Sequence, residues 1–202
     1  MTGPRVEAIL LAAGESRRMG RPKPLIEVAG RTFIATISDA ILTAVPRLII
    51  VIGADADRIR AAIPADQRVA IVENSEYRRG QLSSLKAGLA EVSPDTDAAL
   101  VHLCDHPVVR PETFRTVIDA YGRSGGPIVI ARYHGRRGHP VIFDRSLFGE
   151  LIAASEGQGA RQVVDADSAR VHYADVDDPG VVLDLDSPAD LERSGIITGS
   201  HR

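Results

Sequence analysis

Residues Leu10–Leu25 read LLAAGESRRMGRPKPL, and the fold follows from how that stretch changes character. The apolar run Val6–Leu11 ends in Ala12, Ala13 and Gly14, and small and cationic residues follow: Ser16, Arg17, Arg18, Gly20, Arg21 and Lys23. A buried strand that opens into such a loop can bring backbone N–H groups and positive charge to a polyphosphate. Two common phosphate loops are excluded by spacing. A Walker A loop needs glycine where Met19 stands, and the dinucleotide pattern GxGxxG needs one where Ser16 stands. Pro22 and Pro24 flank Lys23 and predict an extended, pre-ordered segment around it. The plain alternative is a solvated basic loop after a buried strand.

Outward from that loop the chain alternates strand and helix. Thr32–Ala44 carries Phe33, Ile34, Ile37, Ile41 and Leu42 at helical spacing, with Thr32 as N-cap. Leu48–Ile52 is a continuous apolar run, the pattern of a strand covered on both faces. A short helix over Asp55–Ile63, a strand at Val69–Val72, a helix over Leu82–Val92 and a strand at Ala98–Leu103 follow. Pro111–Tyr121 reads as a helix with proline at its first position. This order predicts a three-layer α/β fold: a Rossmann-like, mostly parallel sheet with helices on both faces. Ligands bind such sheets at the C-terminal ends of the strands, which singles out Gly14 and Asp105.

The second half is less regular. Ile128–Tyr133 and Pro140–Phe143 read as strands around a loop His134–His139. Helical stretches are expected near Ser146–Ala154 and Ala160–Asp165, and strands at Arg170–Val176 and Val181–Leu183. Pro188–Glu192 opens a last helix behind Ser187. No repeat or linker interrupts the chain. A single domain over 1–202 is expected.

Composition narrows the partners. Of 202 residues, 44% are hydrophobic and 25% charged, which is ordinary for a globular protein. No run approaches the ~18 apolar residues of a membrane span. The N-terminal residues lack a signal-peptide pattern, so a cytoplasmic location is expected. A single cysteine, Cys104, forms no internal disulfide. A net charge of −3 argues against nucleic acid, while Arg17, Arg18, Arg21 and Lys23 in one loop point to a small anionic ligand.

The stretch LAAGESRRMGRPKPL resembles the LAAG-x-S-x-RMG-x-x-K signature of the MobA-like nucleotidyltransferases, and within them most resembles the molybdenum cofactor cytidylyltransferases. Further segments match in order. Asn74-Ser75-Glu76-Tyr77 and Gly80–Leu89 resemble the base-recognition segment, and Asp105-His106-Pro107 the metal-binding D-x-P. Gly138-His139-Pro140 resembles GHP, Gly157–Arg161 G-x-G-A-R, and Leu183–Leu191 DIDTPEDL. Gln81 and Leu82 depart from the usual Met-Ser, Cys104 replaces a glycine, and His106 replaces glutamine or methionine.

The resemblance implies a fold of the nucleotide-diphospho-sugar transferase type, with a nucleotide-binding half at about 1–122 and an acceptor-binding, metal-completing half at about 123–195. The implied reaction is attack by a phosphate oxygen on the α-phosphorus of CTP, with magnesium, joining CMP to the terminal phosphate of molybdopterin and releasing pyrophosphate. A phosphate monoester needs no general base, which agrees with a chain lacking an obvious Ser–His–Asp or Cys–His set. Lys23 would contact the α- or β-phosphate, and Arg17 with the N–H groups of Gly14–Arg18, Ser16 included, would hold the pyrophosphate. Leu11, Ala12, Ala13 and Gly14, with Gly80, Ser83 and Ser84, would take the nucleotide, although Ser83 and Ser84 also suit helix N-caps. Asp105 ends an apolar strand and would need a divalent cation to offset burial, or else serve as a turn or cap residue. Asp186 would complete the metal site at the end of a strand, with Asp184 as the other candidate. His106 and His139 would face the acceptor. His102, His106 and His139 show no sequence spacing typical of a transition-metal site.

Alternatives from the same resemblance are a guanylyltransferase on that cofactor, an enzyme acting on a sugar or alditol phosphate, and a non-catalytic nucleotide or cofactor chaperone. A molybdoenzyme or its chaperone would be the downstream protein partner.

Overall fold

The computed structural model describes residues 3–196; Met1, Thr2 and 197–202, the ends of the expected span, lie outside the described residues. Strand β1 (Val6–Ala12) is buried at all of its seven residues. Successive side chains of a strand point to opposite faces, so Val6, Ala8, Leu10 and Ala12 enter one helical layer, and Ile9 and Leu11 the other. Glu7 is buried too, and lies 3.1 Å from the Arg47 guanidinium.

Helix α1 (Phe33–Leu42) puts Phe33, Ile34, Ile37 and Ile41 into the first layer. Thr32 Oγ1 accepts from Ala35 N at 3.3 Å, as its N-cap role requires. Each such fully buried side chain stabilises by roughly 1.5–3 kcal/mol relative to exposure. Helix α3 (Gln81–Ala90) supplies Leu82, Leu85 and Leu89 to the second layer.

The short hairpin β2 (Glu27–Val28) and β3 (Arg31–Thr32) stands apart from the main sheet. The remaining elements are β4 (Leu48–Ile52), α2 (Ala56–Ala62), β5 (Val69–Glu73), α3 (Gln81–Ala90), β6 (Ala98–Leu103) and α4 (Pro111–Ser124). After them come β7 (Ile128–Tyr133), β8 (Arg136–Asp144), α5 (Phe148–Ala153), α6 (Arg161–Asp165), β9 (Val171–Asp175) and α7 (Pro188–Ser194). Seven strands form one sheet in the order β5-β4-β1-β6-β8-β7-β9. β8 is antiparallel to both of its neighbours; the other pairings are parallel. The three-layer, mostly parallel α/β sheet expected from the sequence is therefore the fold. Among the described residues, no helix is long and apolar enough to cross a membrane.

Three local expectations are corrected. Val181–Leu183 is not a strand: Pro179–Val182 forms a 3-10 turn. Asp178 Oδ1 accepts from Gly180 N at 2.9 Å, and Pro179 starts the turn, so the backbone closes on itself instead of on a neighbour. Lys23 is likewise not extended. Pro22 is at φ −58, ψ 117, and Lys23–Leu25 then makes a 3-10 turn closed by Ile26 N on Lys23 O at 3.0 Å. The loop His134–His139 shrinks to His134-Gly135, both at positive φ, which matches the right-handed twist of a tight hairpin. Strand β8 thus starts at Arg136 and carries His139 inward.

Candidate active site

Strand β1 ends where the cationic loop Gly14–Lys23 begins, and the end of β6 lies beside it. Cys104 N donates to Leu11 O at 3.2 Å, holding the two strand ends together. The loop is folded on itself by Ser16, at φ 51: its carbonyl accepts from Met19 N at 2.9 Å, and its Oγ from Lys23 N at 3.0 Å. Met19 is buried in the core and anchors the turn. Sequence and packing thereby fix Lys23, whose side chain is 13% exposed, over the strand ends.

Lys23 Nζ donates to Asp186 Oδ1 and lies 3.6 Å from Asp105 Oδ2. Arg18 donates to Asp186 Oδ2. The backbone joins the carboxylates as well, since Leu185 N donates to Asp105 O at 3.0 Å. Oxygens of Asp105, Asp184 and Asp186 lie within 4.8 Å of one another. Asp105 Oδ1 is a buried oxygen with no hydrogen-bond partner among the described residues. Burial, then the charges of Asp105 and Asp186, raises the Asp184 carboxyl above its ordinary range. Burial also pushes Asp186 up, but the Lys23 hydrogen bond and the Lys23 and Arg18 charges outweigh it, so its net shift is downward. Three hard oxygen donors, one of them orphaned, fit a divalent cation such as magnesium or manganese.

The competing helix-cap role falls to other residues. Asp178 is buried, and its Oδ2 accepts from Arg110 N at 2.9 Å and Thr113 Oγ1 at 2.6 Å at the start of α4, where Asp105 could have served. Ser187 Oγ accepts from Asp190 N at 3.3 Å and caps α7, while the Asp186 side chain faces Lys23. Asp186 follows the 3-10 turn, not a strand. The sequence signals the turn at Asp177-Asp178-Pro179-Gly180 but not the capping role of Asp178.

A cleft of about 350 Å³ lies over this group, lined by Leu11–Gly14, Ser16, Arg17, Lys23, Gly80, Ser84 and Asp105 among others. Arg17 is at its mouth, 81% exposed, with Nε donating to Glu15 at 2.5 Å; Arg78 holds the other Glu15 oxygen at 3.0 Å. Gly80 is itself the N-cap of α3, so neither Ser83 nor Ser84 is a cap. Asn74 Nδ2 donates to both hydroxyl oxygens, at 2.9 and 3.0 Å. Ser83 Oγ donates on to Gly80 O at 2.8 Å and does not line the cleft, whereas Ser84 does. The helix can stand this close because Gly88 packs on β1; a Cβ there would be 2.6 Å from Ile9 Cγ2.

A second cleft of about 720 Å³ opens on the other side of Leu11, Gln81 and Leu103, which border both. Its walls combine Leu82, Val141 and Phe143 with Arg136 and Arg161, and it includes Asp184, His106 and His139. The acid group therefore stands at the seam: Asp105 and Asp186 face the first cleft and Asp184 the second. His106 Nε2 is 3.7 Å from Asp105 Oδ1, and its Nδ1 is 3.4 Å from Gly180 O. His139 stacks obliquely on His106 with ring centroids 5.2 Å apart. Burial, then the neighbouring His106, lowers His139 to about 4, and burial likewise pushes His102 well below its ordinary value. Among the described residues His102 Nδ1 has no hydrogen-bond partner, and the ring packs edge-on to Phe114. Linear spacing hid this gathering of three rings from distant positions.

A strand-end loop rich in cations, facing an acid cluster between two clefts on a mostly parallel sheet, defines a nucleotidyltransferase. Residues 8–172 match the MobA-like NTP transferase domain, and the chain belongs to that family. It is 25% identical over 187 residues to the molybdenum cofactor cytidylyltransferase of Escherichia coli strain K12, covering 92% of this chain and 93% of that one. It is also 30% identical over 200 residues to nicotine blue oxidoreductase of Paenarthrobacter nicotinovorans, covering 94% and 96%. Among solved structures it is similar to Rv0371c of Mycobacterium tuberculosis H37Rv in complex with manganese, at 31% identity and a TM-score of 0.73, covering 95% and 98% of the two chains.

Proposed function

We propose that this nucleotidyltransferase moves CMP from CTP to the terminal phosphate of a molybdopterin-type cofactor, with magnesium, and releases pyrophosphate. The observation that carries the reading is the acid cluster at the seam of two clefts, one walled by the phosphate loop and the other by apolar side chains and imidazoles. The similarity to the cytidylyltransferase over nearly the full length of both chains supports the choice of base and acceptor.

In this reading the phosphate loop grips the triphosphate in the first cleft. Lys23, fixed by Ser16, neutralises charge that builds on the α-phosphate, and Arg17 swings from Glu15 to the departing pyrophosphate. Ser84 and the Gly80 backbone bound the base, with Asn74 holding Ser84 in place. The acceptor lies in the second cleft with its phosphate directed past Asp184 towards the α-phosphorus. His106 and His139 border it, and the low pKa of His139 keeps that ring uncharged at neutral pH. Asp105, Asp186 and Asp184 would hold the magnesium, which supplies charge neutralisation to the phosphate oxygens. Alignment of two bound anions provides the remainder of the rate enhancement.

Thermal shift with magnesium and CTP, GTP, UTP or ATP at equal concentration tests the base, because a ligand of the folded state raises stability with its affinity. CTP is expected to give the largest shift, followed by pyrophosphate release with molybdopterin. A larger shift with GTP moves the reading to guanylyl transfer, and with UTP or ATP to a sugar-phosphate acceptor. Absence of pyrophosphate with every nucleotide and molybdopterin contradicts it.

A further inference from the structure

The carboxylates that suit a divalent ion are the same ones that hold the loop's cations. Both oxygens of Asp186 are taken, Oδ1 by Lys23 and Oδ2 by Arg18. Lys23 also leans on Asp105 Oδ2 at 3.6 Å, which leaves Asp105 Oδ1 as the orphaned oxygen. A divalent ion seated against Asp186 Oδ1 would meet the ammonium of Lys23 at contact distance, in a pocket where Asp105, Lys23 and Asp186 are each less than a quarter exposed. Like charges that close and that poorly solvated repel strongly.

Charge counting points the same way. Three carboxylates against Lys23 and Arg18 leave one net negative charge, and a divalent ion alone would turn that into one net positive. A nucleoside triphosphate reverses the balance, since its oxygens offer both cations a better partner. The required movement is small. Ser16, Arg17, Arg18 and Lys23 all line the first cleft already, and the Lys23 backbone is fixed by Ser16 Oγ.

We propose that Lys23 and Arg18 are built-in counter-ions of the acid cluster, so that the divalent ion and the nucleotide enter as a coupled pair. The triphosphate draws the two cations away from Asp186, and the ion takes the oxygens they release. Neither ligand binds well alone, which protects the site from loading metal without substrate. This inference rests on the nucleotidyl-transfer reading and adds a binding order to it.

Manganese is the probe, with free Mn2+ followed by its electron paramagnetic resonance signal, without turnover, and with the Mn2+ held by the analogue itself measured in the absence of protein and subtracted. Wild type, Lys23→Met and Asp186→Asn are titrated with and without α,β-methylene-CTP, after thermal melts establish that each is folded. Wild type is expected to bind Mn2+ about tenfold more tightly once the analogue is present, a usual size for coupling between two ligands. Lys23→Met is expected to bind Mn2+ alone about tenfold more tightly than wild type, and to lose most of the coupling. Equal or weaker Mn2+ binding by Lys23→Met without nucleotide overturns the proposal and leaves the metal assignment standing. Mn2+ binding by Asp186→Asn that equals wild type in the presence of the analogue overturns the metal assignment itself, and the functional reading with it.

Discussion

The two clefts on either side of Leu11 and Leu103 are built on different principles. The first is local and electrostatic: one loop, Gly14–Lys23, brings its cations against carboxylates that follow β6 and the Pro179–Val182 turn. The second is assembled from distant segments, with its histidines on either side of a β6–β8 pairing and its arginines on β8 and α6. One gathers charge, and the other combines apolar walls with imidazoles and guanidiniums. On the proposed reading, nucleotide handling is concentrated in few residues, while acceptor choice is spread over many. Substitutions in the first cleft should therefore be severe, and those in the second graded.

The largest effect is expected at the seam. Asp105→Asn should lower pyrophosphate release about a thousandfold, in the range of losing a group that stabilises the transition state, while the melting temperature stays within a few degrees. Retained turnover would dissolve the distinction between the clefts. Lys23→Ala should reduce kcat about a hundredfold and change the nucleotide KM less, because its contact strengthens as charge develops. A change confined to KM would make Lys23 a ground-state binder.

Asp178→Ala comes next and sharpens the comparison from outside both clefts. Its carboxyl holds Arg110 N, Thr113 Oγ1 and Gly180 N, so removal should cost about 2 kcal/mol by leaving buried donors unpaired. Chemical denaturation measures that loss, and an unchanged midpoint would show that the turn holds without it. His139→Asn is expected to act least, raising the acceptor KM about tenfold with the nucleotide KM unchanged, the worth of one modest contact. It also carries a pH signature. His139 is lowered from 6.5 to about 4, so between those values the unfolded chain binds the extra proton, and wild-type stability falls as pH drops through the window. The slope for one such group is about 1.4 kcal/mol per pH unit at most, and the variant should show a shallower fall. Identical slopes would place the titration elsewhere.

Much of the loop that walls the first cleft was legible in the sequence because its residues are contiguous. The switch from apolar strand to cationic loop marked one wall of the first cleft, and the alternation from Val6 to Tyr121 foretold the sheet. The misreadings arose where local chemistry outweighed hydrophobicity. Val181–Leu183 looks apolar enough for a strand, but Asp178, Pro179 and Gly180 close a turn first. Ser83 sits in the segment that resembles base recognition, yet its hydroxyl is consumed by Asn74 and Gly80, a partnership nine residues apart that no periodicity reveals. The second cleft was visible only as separate segments, Gly138-His139-Pro140 and Gly157–Arg161, and single residues such as His106 and Asp184, which pairing of β8 with β6 helps bring together.

The most direct measurement follows the label of CTP through a single turnover with molybdopterin. CTP labelled with 32P at the α-phosphate should pass its label to the acceptor, and CTP labelled at the γ-phosphate should release it in pyrophosphate. Label from the γ-position on the acceptor, or no transfer from the α-position, would contradict nucleotidyl transfer between the two clefts.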